Sequence, residues 1–276
     1  MAATGKFVAA VGETLVDVGR ITSDKESVTL KPAKKSGLER DIKADLRRIY
    51  KPSQKNRLWH KYSFLQGCIV DLQGLIAVGK STIGQSLYDF LTWLGFEVVL
   101  CLEEIPEPLL GLYGKEMKKY AFPFQTIVAS HRLTVHSDGI KNGKGKIWIT
   151  DRGLLGDYVF ALMQYRKGFF TEEEFQAYME MVGKALPEPD YVLHVDTSAE
   201  IAFARMQERG VKEERESYKL EYFQEVDATY KEVMAVYGKV IAVPWSSKEE
   251  VTNGRLSMKK CEEILDVLWE RHQQQI

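Results

Sequence analysis

A glycine-rich segment carries the residues with the clearest chemistry: Gly74-Leu75-Ile76-Ala77-Val78-Gly79-Lys80-Ser81, followed by Thr82. It fits the pattern G-x-x-x-x-G-K-[ST] and lies between an apolar stretch and a helical one, as the pattern requires. In such a loop, backbone N–H groups and a helix N-terminus point at phosphates. The lysine contacts the β- and γ-phosphates, and the hydroxyl ligates Mg²⁺. We therefore predict that ATP binds with Mg²⁺ at these residues: Gly74, Ala77, Val78, Gly79, Lys80, Ser81 and Thr82.

Carboxylates follow the next predicted strand, in the segment CLEEIPEP at 101–108. A carboxylate at this place can accept the proton of a hydroxyl that attacks the γ-phosphate of ATP. The segment holds three candidates, Glu103, Glu104 and Glu107, and at least one of them is a solvated loop charge.

Two further groups of charged residues lie near the ends of predicted elements. Asp151 and Arg152 end a strand, where they can help to hold Mg²⁺ and clamp an anion; a strand-terminal salt bridge is the alternative. Arg205 and Arg209 are four positions apart on a predicted helix and therefore share a face. They predict a lid over the phosphates around 205–215, and a solvated helix end is the alternative.

Strands and helices alternate along the chain from Tyr62 onward. The predicted strands are Phe64–Leu72, Glu97–Leu102, Lys146–Thr150, Tyr191–Val195 and Lys239–Val243. The predicted helices are Ser81–Leu94, Lys115–His136, Leu155–Arg166, Thr171–Ala185, Ala199–Arg209, Lys219–Tyr237 and Lys259–Gln274. This order predicts an α/β fold with a five-stranded parallel sheet covered by helices on both faces. Ligands bind beyond the carboxyl ends of such strands, which is where the polar residues described above lie.

The first 60 residues differ from the rest of the chain, so we predict an N-terminal extension at 1–60 and a catalytic domain at 61–276. Residues 7–22 predict a short apolar hairpin, and 37–50 predict an amphipathic helix. A hairpin of this size must bury its apolar face against its own core or against a neighbour. We expect a homo-oligomer, a dimer or a tetramer, with packing on the same subunit as the alternative.

Composition limits the possible partners and compartments. A net charge of -1 gives no reason to expect nucleic acid or a membrane as a partner. No apolar run approaches the ~20 residues of a membrane span. Three cysteines that lie far apart in sequence suit a reducing compartment. With no signal-peptide pattern at the N-terminus, we expect a cytoplasmic protein.

Taken together, the motifs resemble those of the deoxyribonucleoside kinase family, over roughly 64–243. GLIAVGKST resembles the family's GNIGSGK[ST]T, and DRGLLGDYVFA resembles its E-R-S segment. LEEIPEP stands where the family has E-P-V-E, and AFPFQTIVASHR resembles the start of the base-binding helix. ARMQERGVKEE and KLEYFQEVDATYKEVM are similar to the lid and to the helix after it. The resemblance implies a P-loop kinase that uses ATP and Mg²⁺ and accepts a deoxyribonucleoside.

The resemblance also implies roles for single residues. Glu104 would be the general base, with Arg152 near the 5′-hydroxyl, and Lys80 would act on the phosphates. Glu214 and Tyr113 would bind the 3′-hydroxyl of the sugar.

At the base, Gln125 would contact the edge and Phe124 would pack on the ring, with membership of the core as the alternative for Phe124. Arg132 and Asp157 match a pair found in the deoxycytidine and deoxyguanosine kinases. Such a pair would fill the space that a thymine methyl needs, and Asp157 would accept from an exocyclic amino group. This implies a purine preference, deoxyadenosine first; an exposed ion pair is the alternative.

Some residues depart from the family pattern. Ala77 and Val78 replace a glycine and a small residue of the usual loop, Asp151 replaces a glutamate, and Val211 stands where the lid often has a third arginine. A nucleoside monophosphate kinase and a non-catalytic nucleotide-binding subunit of the same fold are the alternative functions.

Lys80→Ala is expected to abolish phosphoryl transfer while leaving the fold intact, because the loop would lose its cation for the transferred phosphate. The expected loss in kcat is about 10²–10⁴-fold, typical of removing one group that stabilises the transition state. The measurement is ATP-dependent turnover with circular dichroism as the control for folding. Near wild-type turnover by the folded variant would contradict the kinase prediction.

Overall fold

The computed structural model describes most of the chain after the N-terminal segment. The described residues are 52–103, 105, 107–142, 144–183, 188–244, 251–252 and 254–274. The hairpin predicted at 7–22 and the helix predicted at 37–50 lie outside these residues.

A five-stranded parallel sheet forms the centre of the molecule, as the sequence predicts. Its strands are β1 (Ile69–Gln73), β2 (Val98–Cys101), β3 (Ile147–Asp151), β4 (Tyr191–Asp196) and β5 (Val240–Pro244). The strand order is β2-β3-β1-β4-β5, so β1 lies between β3 and β4. In the register between β1 and β3, Asp71 pairs with Thr150 and Leu72 pairs with Asp151. A separate two-stranded antiparallel hairpin follows, formed by β6 (Val251–Thr252) and β7 (Arg255–Leu256).

Helices connect the strands and pack around the sheet. Their bounds are α1 (Pro52–Tyr62), α2 (Lys80–Leu94), α3 (Glu107–Lys115), α4 (Met117–Asn142), α5 (Leu154–Arg166), α6 (Glu172–Gly183), α7 (Ala199–Arg209), α8 (Lys212–Ser217), α9 (Leu220–Tyr237) and α10 (Met258–Gln273). Within the described ranges, no helix combines the length and the apolar character that a membrane span requires.

Two of the differences between the predicted and the observed elements have local causes. The strand predicted at 64–72 begins only at Ile69, because Ser63–Leu65 forms a 3₁₀-helix and Gly67 follows with a φ of 85°. Helix α3 was not predicted, since Pro108, Gly111 and Gly114 interrupt the helical pattern of its sequence.

The core brings α2 close to the sheet. Ile83, Leu87 and Phe90 recur at helical spacing and are buried. Gly84 shares this face, and a Cβ there would lie 3.1 Å from Cδ1 of Leu72 and 3.2 Å from Cδ1 of Leu100. The glycine therefore permits close packing of α2 on the sheet. This packing holds the phosphate loop, which immediately precedes α2, at the end of β1.

Helix α1 packs against the C-terminal helix α10. Tyr62 is fully buried and its hydroxyl donates to Asp266, which also forms an ion pair with Lys61 at 2.7 Å. Leu58 is buried on the same helix. The domain boundary predicted between residues 60 and 61 falls within this helix.

Candidate active site

A cavity of about 620 Å³ opens at the carboxyl ends of the central strands. It brings together most of the residues that the sequence predicts for binding and catalysis. The predicted residues that line it are Ala77, Gly79, Lys80, Ser81, Thr82, Phe124, Gln125, Arg132, Asp151, Arg152, Asp157, Arg205, Arg209 and Glu214. Gly74 and Val78 belong to the same loop, and Glu104 lies outside the described residues.

The phosphate loop holds Lys80 in a buried position at the start of α2. Its Nζ donates to the backbone oxygen of Leu75 at 2.9 Å and lies 4.0 Å from the Asp151 carboxylate. Burial lowers the pKa of Lys80 to about 8, and the nearby positive charge of Arg152 acts in the same direction. A phosphate group in the cavity would supply the negative charge that stabilises the ammonium form.

Ala77 adopts a left-handed conformation, with a φ of 61°. This conformation costs a residue with a side chain roughly 1–2 kcal/mol, which accounts for the glycine in the usual form of this loop. The loop keeps the conformation in spite of the alanine.

Ser81 and Asp151 meet at the bottom of the loop. The Ser81 hydroxyl donates to Oδ2 of Asp151 at 2.5 Å. Oδ1 of Asp151 is buried and has no hydrogen-bond partner. A hydroxyl and a carboxylate oxygen are ligands of the kind that Mg²⁺ takes beside nucleotide phosphates, so these two residues fit the predicted metal.

Glu103 lies between two arginines that face the cavity. Its carboxylate accepts from Arg132 and lies 3.4 Å from Nε of Arg152. Burial acts to raise the pKa of Glu103, but the positive charges of Arg152, Arg132 and Lys80 outweigh it and lower the pKa to about 2. Glu103 is therefore ionised at neutral pH. Of the glutamates that follow β2, the one that the described structure places in the cavity is thus the direct neighbour of the predicted Glu104.

Arg152 is fixed by contacts on several sides. Its backbone has a φ of 65°, and its guanidinium donates to the backbone oxygen of Gly74 at 3.1 Å and to the Tyr230 hydroxyl at 3.4 Å. The guanidinium also lies 4.5 Å from the centre of the Phe160 ring. The side chain is therefore positioned between the phosphate loop and Glu103.

The predicted pair of Arg132 and Asp157 is buried, so the exposed ion pair that was the alternative is not what the structure shows. Asp157 is fully buried and accepts from Arg132, from Nε2 of Gln125 at 2.6 Å and from the Tyr178 hydroxyl at 2.9 Å. The amide of Gln164 donates to Gln125 at 3.0 Å. Gln125 is thereby oriented by protein groups on both sides.

Aromatic rings form the walls of the same end of the cavity. Phe124 and Phe160 both line it, and Tyr113 stacks on Phe124 with ring centres 4.5 Å apart. The sequence did not single out Phe160 or Tyr178. The available signal for Phe160 was its position three residues after Asp157, which places both on one face of α5.

The predicted lid residues lie at the rim of the phosphate loop. Nη1 of Arg205 donates to the backbone oxygen of Val78 at 3.3 Å. Arg209 donates to both oxygens of Glu214, at 2.6 and 2.5 Å. The short helix α8, which carries Glu214, was not predicted.

Arg132→Met is expected to lower the free energy of unfolding by about 3–5 kcal/mol, because Asp157 and Glu103 would lose their buried counter-charge. The double variant Arg132→Met/Asp157→Ala removes one orphaned carboxylate and should be more stable than the single variant. Urea unfolding followed by circular dichroism measures both.

Arg166→Met is the matched control, since Arg166 pairs with Glu232 at 2.7 Å on the exposed surface. Such a pair contributes about 0–1 kcal/mol. An equal decrease in the free energy of unfolding in Arg132→Met and in this control would contradict the importance of the buried pair.

Comparisons with known proteins find relatives of this chain in both sequence and structure. A sequence profile of the deoxynucleoside kinase family (dNK) matches residues 70–267. The chain is 27% identical over 151 residues to a deoxyadenosine kinase of Lactobacillus acidophilus. The aligned region covers 51% of this chain and 66% of that protein. It is 26% identical over 189 residues to a deoxyguanosine kinase of Lactobacillus johnsonii, covering 65% and 77% of the two chains. The match spans about two thirds of the length of the first of these relatives.

Solved structures show the same fold. Deoxyadenosine kinase from M. mycoides with bound dATP superposes with a TM-score of 0.56 at 24% identity, covering 73% of this chain and 98% of that one. The same enzyme with bound dCMP and dCDP gives a TM-score of 0.57 at 22% identity, covering 72% and 98%. Since the family profile spans well over half of the chain and the phosphate loop and cavity lie within that region, this protein is an enzyme of the deoxynucleoside kinase family.

Proposed function

We propose that this enzyme transfers the γ-phosphoryl group of ATP to the 5′-hydroxyl of a deoxyribonucleoside, with deoxyadenosine preferred. The observation that supports it most is the contact between Glu103 and Arg152 in the cavity beside Lys80. A carboxylate that is ionised next to a phosphate loop can take the proton of an attacking hydroxyl.

In the proposed step, a bond forms between the 5′-oxygen and the γ-phosphorus while the bond from that phosphorus to the bridging oxygen of ADP breaks. The hydroxyl proton passes to the carboxylate of Glu103. Lys80 and Arg152 hold positive charge at the oxygens that become more negative in the transition state. Mg²⁺ bound by Ser81 and Asp151 would supply further positive charge to the phosphates.

The charges at the acceptor end favour a neutral nucleoside over a nucleoside monophosphate. There the cavity is lined by the carboxylates of Glu103, Asp157 and Glu214. The arginines beside them are already paired: Arg132 contacts Glu103 and Asp157, and Arg152 contacts Glu103. Glu214 is paired with Arg209. An acceptor phosphate would need cationic partners of its own, whereas a nucleoside brings no charge.

For the sugar, we propose that Glu214 accepts a hydrogen bond from the 3′-hydroxyl. Glu214 lines the cavity and is paired with Arg209. Tyr113 remains a proposed partner by resemblance; its ring packs behind Phe124, which itself faces the cavity.

For the base, we propose that Asp157 selects rings that carry an exocyclic amino group. Its buried carboxylate accepts hydrogen bonds, and the carbonyl of thymine would leave it facing another acceptor. Phe124 and Phe160 flank the same space and can pack on a ring. Relatives named for deoxyadenosine, deoxyguanosine and deoxycytidine match this chain at similar identity, so the choice among amino-bearing bases must come from individual residues of the pocket.

We also propose that the enzyme acts in the cytoplasm and as a homo-oligomer in which 1–60 take part. Cys68, Cys101 and Cys261 are all free thiols, which suits a reducing compartment. The apolar pattern of 7–22 supports burial of that segment against a partner subunit.

In a panel of the four deoxynucleosides and their monophosphates with ATP, we expect deoxyadenosine to give the highest kcat/KM and thymidine a poor one. Deoxyguanosine and deoxycytidine should be intermediate. In Arg132→Met/Asp157→Ala, the kcat/KM for thymidine should rise at least about tenfold relative to that for deoxyadenosine. The reason is that thymine no longer leaves the buried charge of Asp157 unpaired, which costs over ~1 kcal/mol in the wild type.

Phosphorylation of the monophosphates alone would contradict the nucleoside kinase proposal. Thymidine as the best wild-type substrate, or no gain of thymidine activity in the double variant, would contradict the role of the Arg132–Asp157 pair while leaving the kinase activity in place.

Glu103→Gln should lower kcat by about 10²–10⁴-fold, the range typical of general base catalysis, because the amide cannot accept the proton. Glu104→Gln is the matched comparison at the adjacent position and should stay active. Turnover at saturating ATP and deoxyadenosine distinguishes the two. An inactive Glu104→Gln beside an active Glu103→Gln would return the role of base to Glu104.

A further inference from the structure

Asp71 is a fully buried carboxylate in the middle of β1, below the cavity, and it does not line it. Its three hydrogen-bond partners all donate: Nε2 of Gln73 at 2.6 Å, Oγ1 of Thr150 at 2.8 Å and the backbone N–H of Gly153 at 2.8 Å. A buried charge supported in this way by donors only is a specific arrangement and an expensive one to keep.

Two of these partners enclose the residues that carry the chemistry. Oδ1 of Asp71 accepts from Thr150 on one side and from Gly153 on the other, so it spans Asp151 and Arg152. Arg152, which lies between Thr150 and Gly153 in the chain, has a φ of 65°. Such a conformation persists only where surrounding contacts hold it, and the bond to Gly153 supplies one directly after the strained residue.

The third partner extends the contact to the guanidinium. Gln73 donates to Asp71 and accepts from the Tyr230 hydroxyl at 3.2 Å. That hydroxyl lies 3.4 Å from Nη1 of Arg152. The carboxylate of Asp71 is therefore connected to both the backbone and the side chain of Arg152.

Gly153 completes the arrangement. Its φ of -79° and ψ of -168° are open to any residue, so the backbone does not require glycine there. A Cβ at this position would lie 2.6 Å from Oδ2 and 3.0 Å from Oδ1 of Asp71. The space taken by the Asp71 carboxylate is thus what restricts residue 153 to glycine.

We propose that Asp71 and Gly153 act together as a positioning pair that sets the location of Arg152 for phosphoryl transfer. The inference rests on the proposed function of Arg152 at the transferred phosphate. Asp71 itself touches neither substrate; it acts through the segment that bears Arg152.

The test compares kcat and the KM for ATP in Gly153→Ser, Asp71→Ser and the double variant. Gly153→Ser should lower kcat by about 10²-fold, the cost of a misplacement of about 1 Å, with the KM for ATP nearly unchanged. The double variant should have a kcat at least tenfold higher than that of Gly153→Ser, because serine at 71 leaves room for the new Cβ. Tenfold in rate corresponds to about 1.4 kcal/mol. A double variant no more active than Gly153→Ser would overturn the proposal.

Two further variants separate positioning from stability. Asp71→Asn retains an oxygen for the Gly153 N–H but puts an amide opposite the Gln73 donor, so its kcat should fall less than that of Asp71→Ser. Thr150→Val removes a different donor to Asp71 without touching Gly153, and its kcat should stay near wild type. If Asp71→Ser does not fold, Asp71→Asn decides, and a wild-type kcat in that variant overturns the proposal.

Arg152→Ala distinguishes this inference from the proposed function. A wild-type kcat in Arg152→Ala overturns both. A large loss in Arg152→Ala without recovery in the double variant overturns only the pairing of Asp71 with Gly153. Melting temperature and binding of a fluorescent ATP analogue verify that each variant is folded with an intact phosphate loop.

Discussion

Burying a charged side chain costs several kcal/mol unless an opposite charge accompanies it, and this constraint governs the interior of the site. Arg132 contacts both Asp157 and Glu103, and Glu103 lies next to Arg152. Charges of alternating sign therefore run from the proposed base end of the cavity to the phosphate loop. Because Arg132 and Glu103 each support two neighbours, recognition of the base and acceptance of the proton depend on one shared network.

Much of the fold and part of the site follow from patterns that are local in sequence. The spacing of Gly74, Gly79 and Lys80 identifies the loop, and the alternation of apolar strands with amphipathic helices identifies a parallel sheet with its ligands at the strand ends. The acid and arginine at Asp151 and Arg152 follow from the same rule, since both come at the carboxyl end of a strand.

The remaining site residues depend on contacts that no local pattern encodes. Asp71 meets Gly153 only because β1 and β3 pair in a particular register. Tyr178 reaches Asp157 only through the packing of α6 against α5. At Glu103 the difficulty is to choose between adjacent residues of the same type. Consecutive glutamates follow β2, and a shift of one residue decides which side chain enters the cavity.

Asp71 and Asp157 respond to acid differently from Glu103. Burial raises the pKa of Asp71 and of Asp157 from 3.8 to about 6, in the second case against the opposing charge of Arg132. The folded state therefore takes up protons at these two carboxylates at a higher pH than the unfolded chain does. The stability that they contribute is full below the pKa of the unfolded chain and is lost as the pH rises through about 6. The pKa of Glu103 is lowered to about 2, so its contribution to stability depends on pH in the opposite way. That contribution is full above the pKa of the unfolded chain and is lost as the pH falls through about 2. As a solution is acidified from neutrality, the carboxylates that orient the substrate and Arg152 are neutralised first, while the proposed proton acceptor keeps its charge.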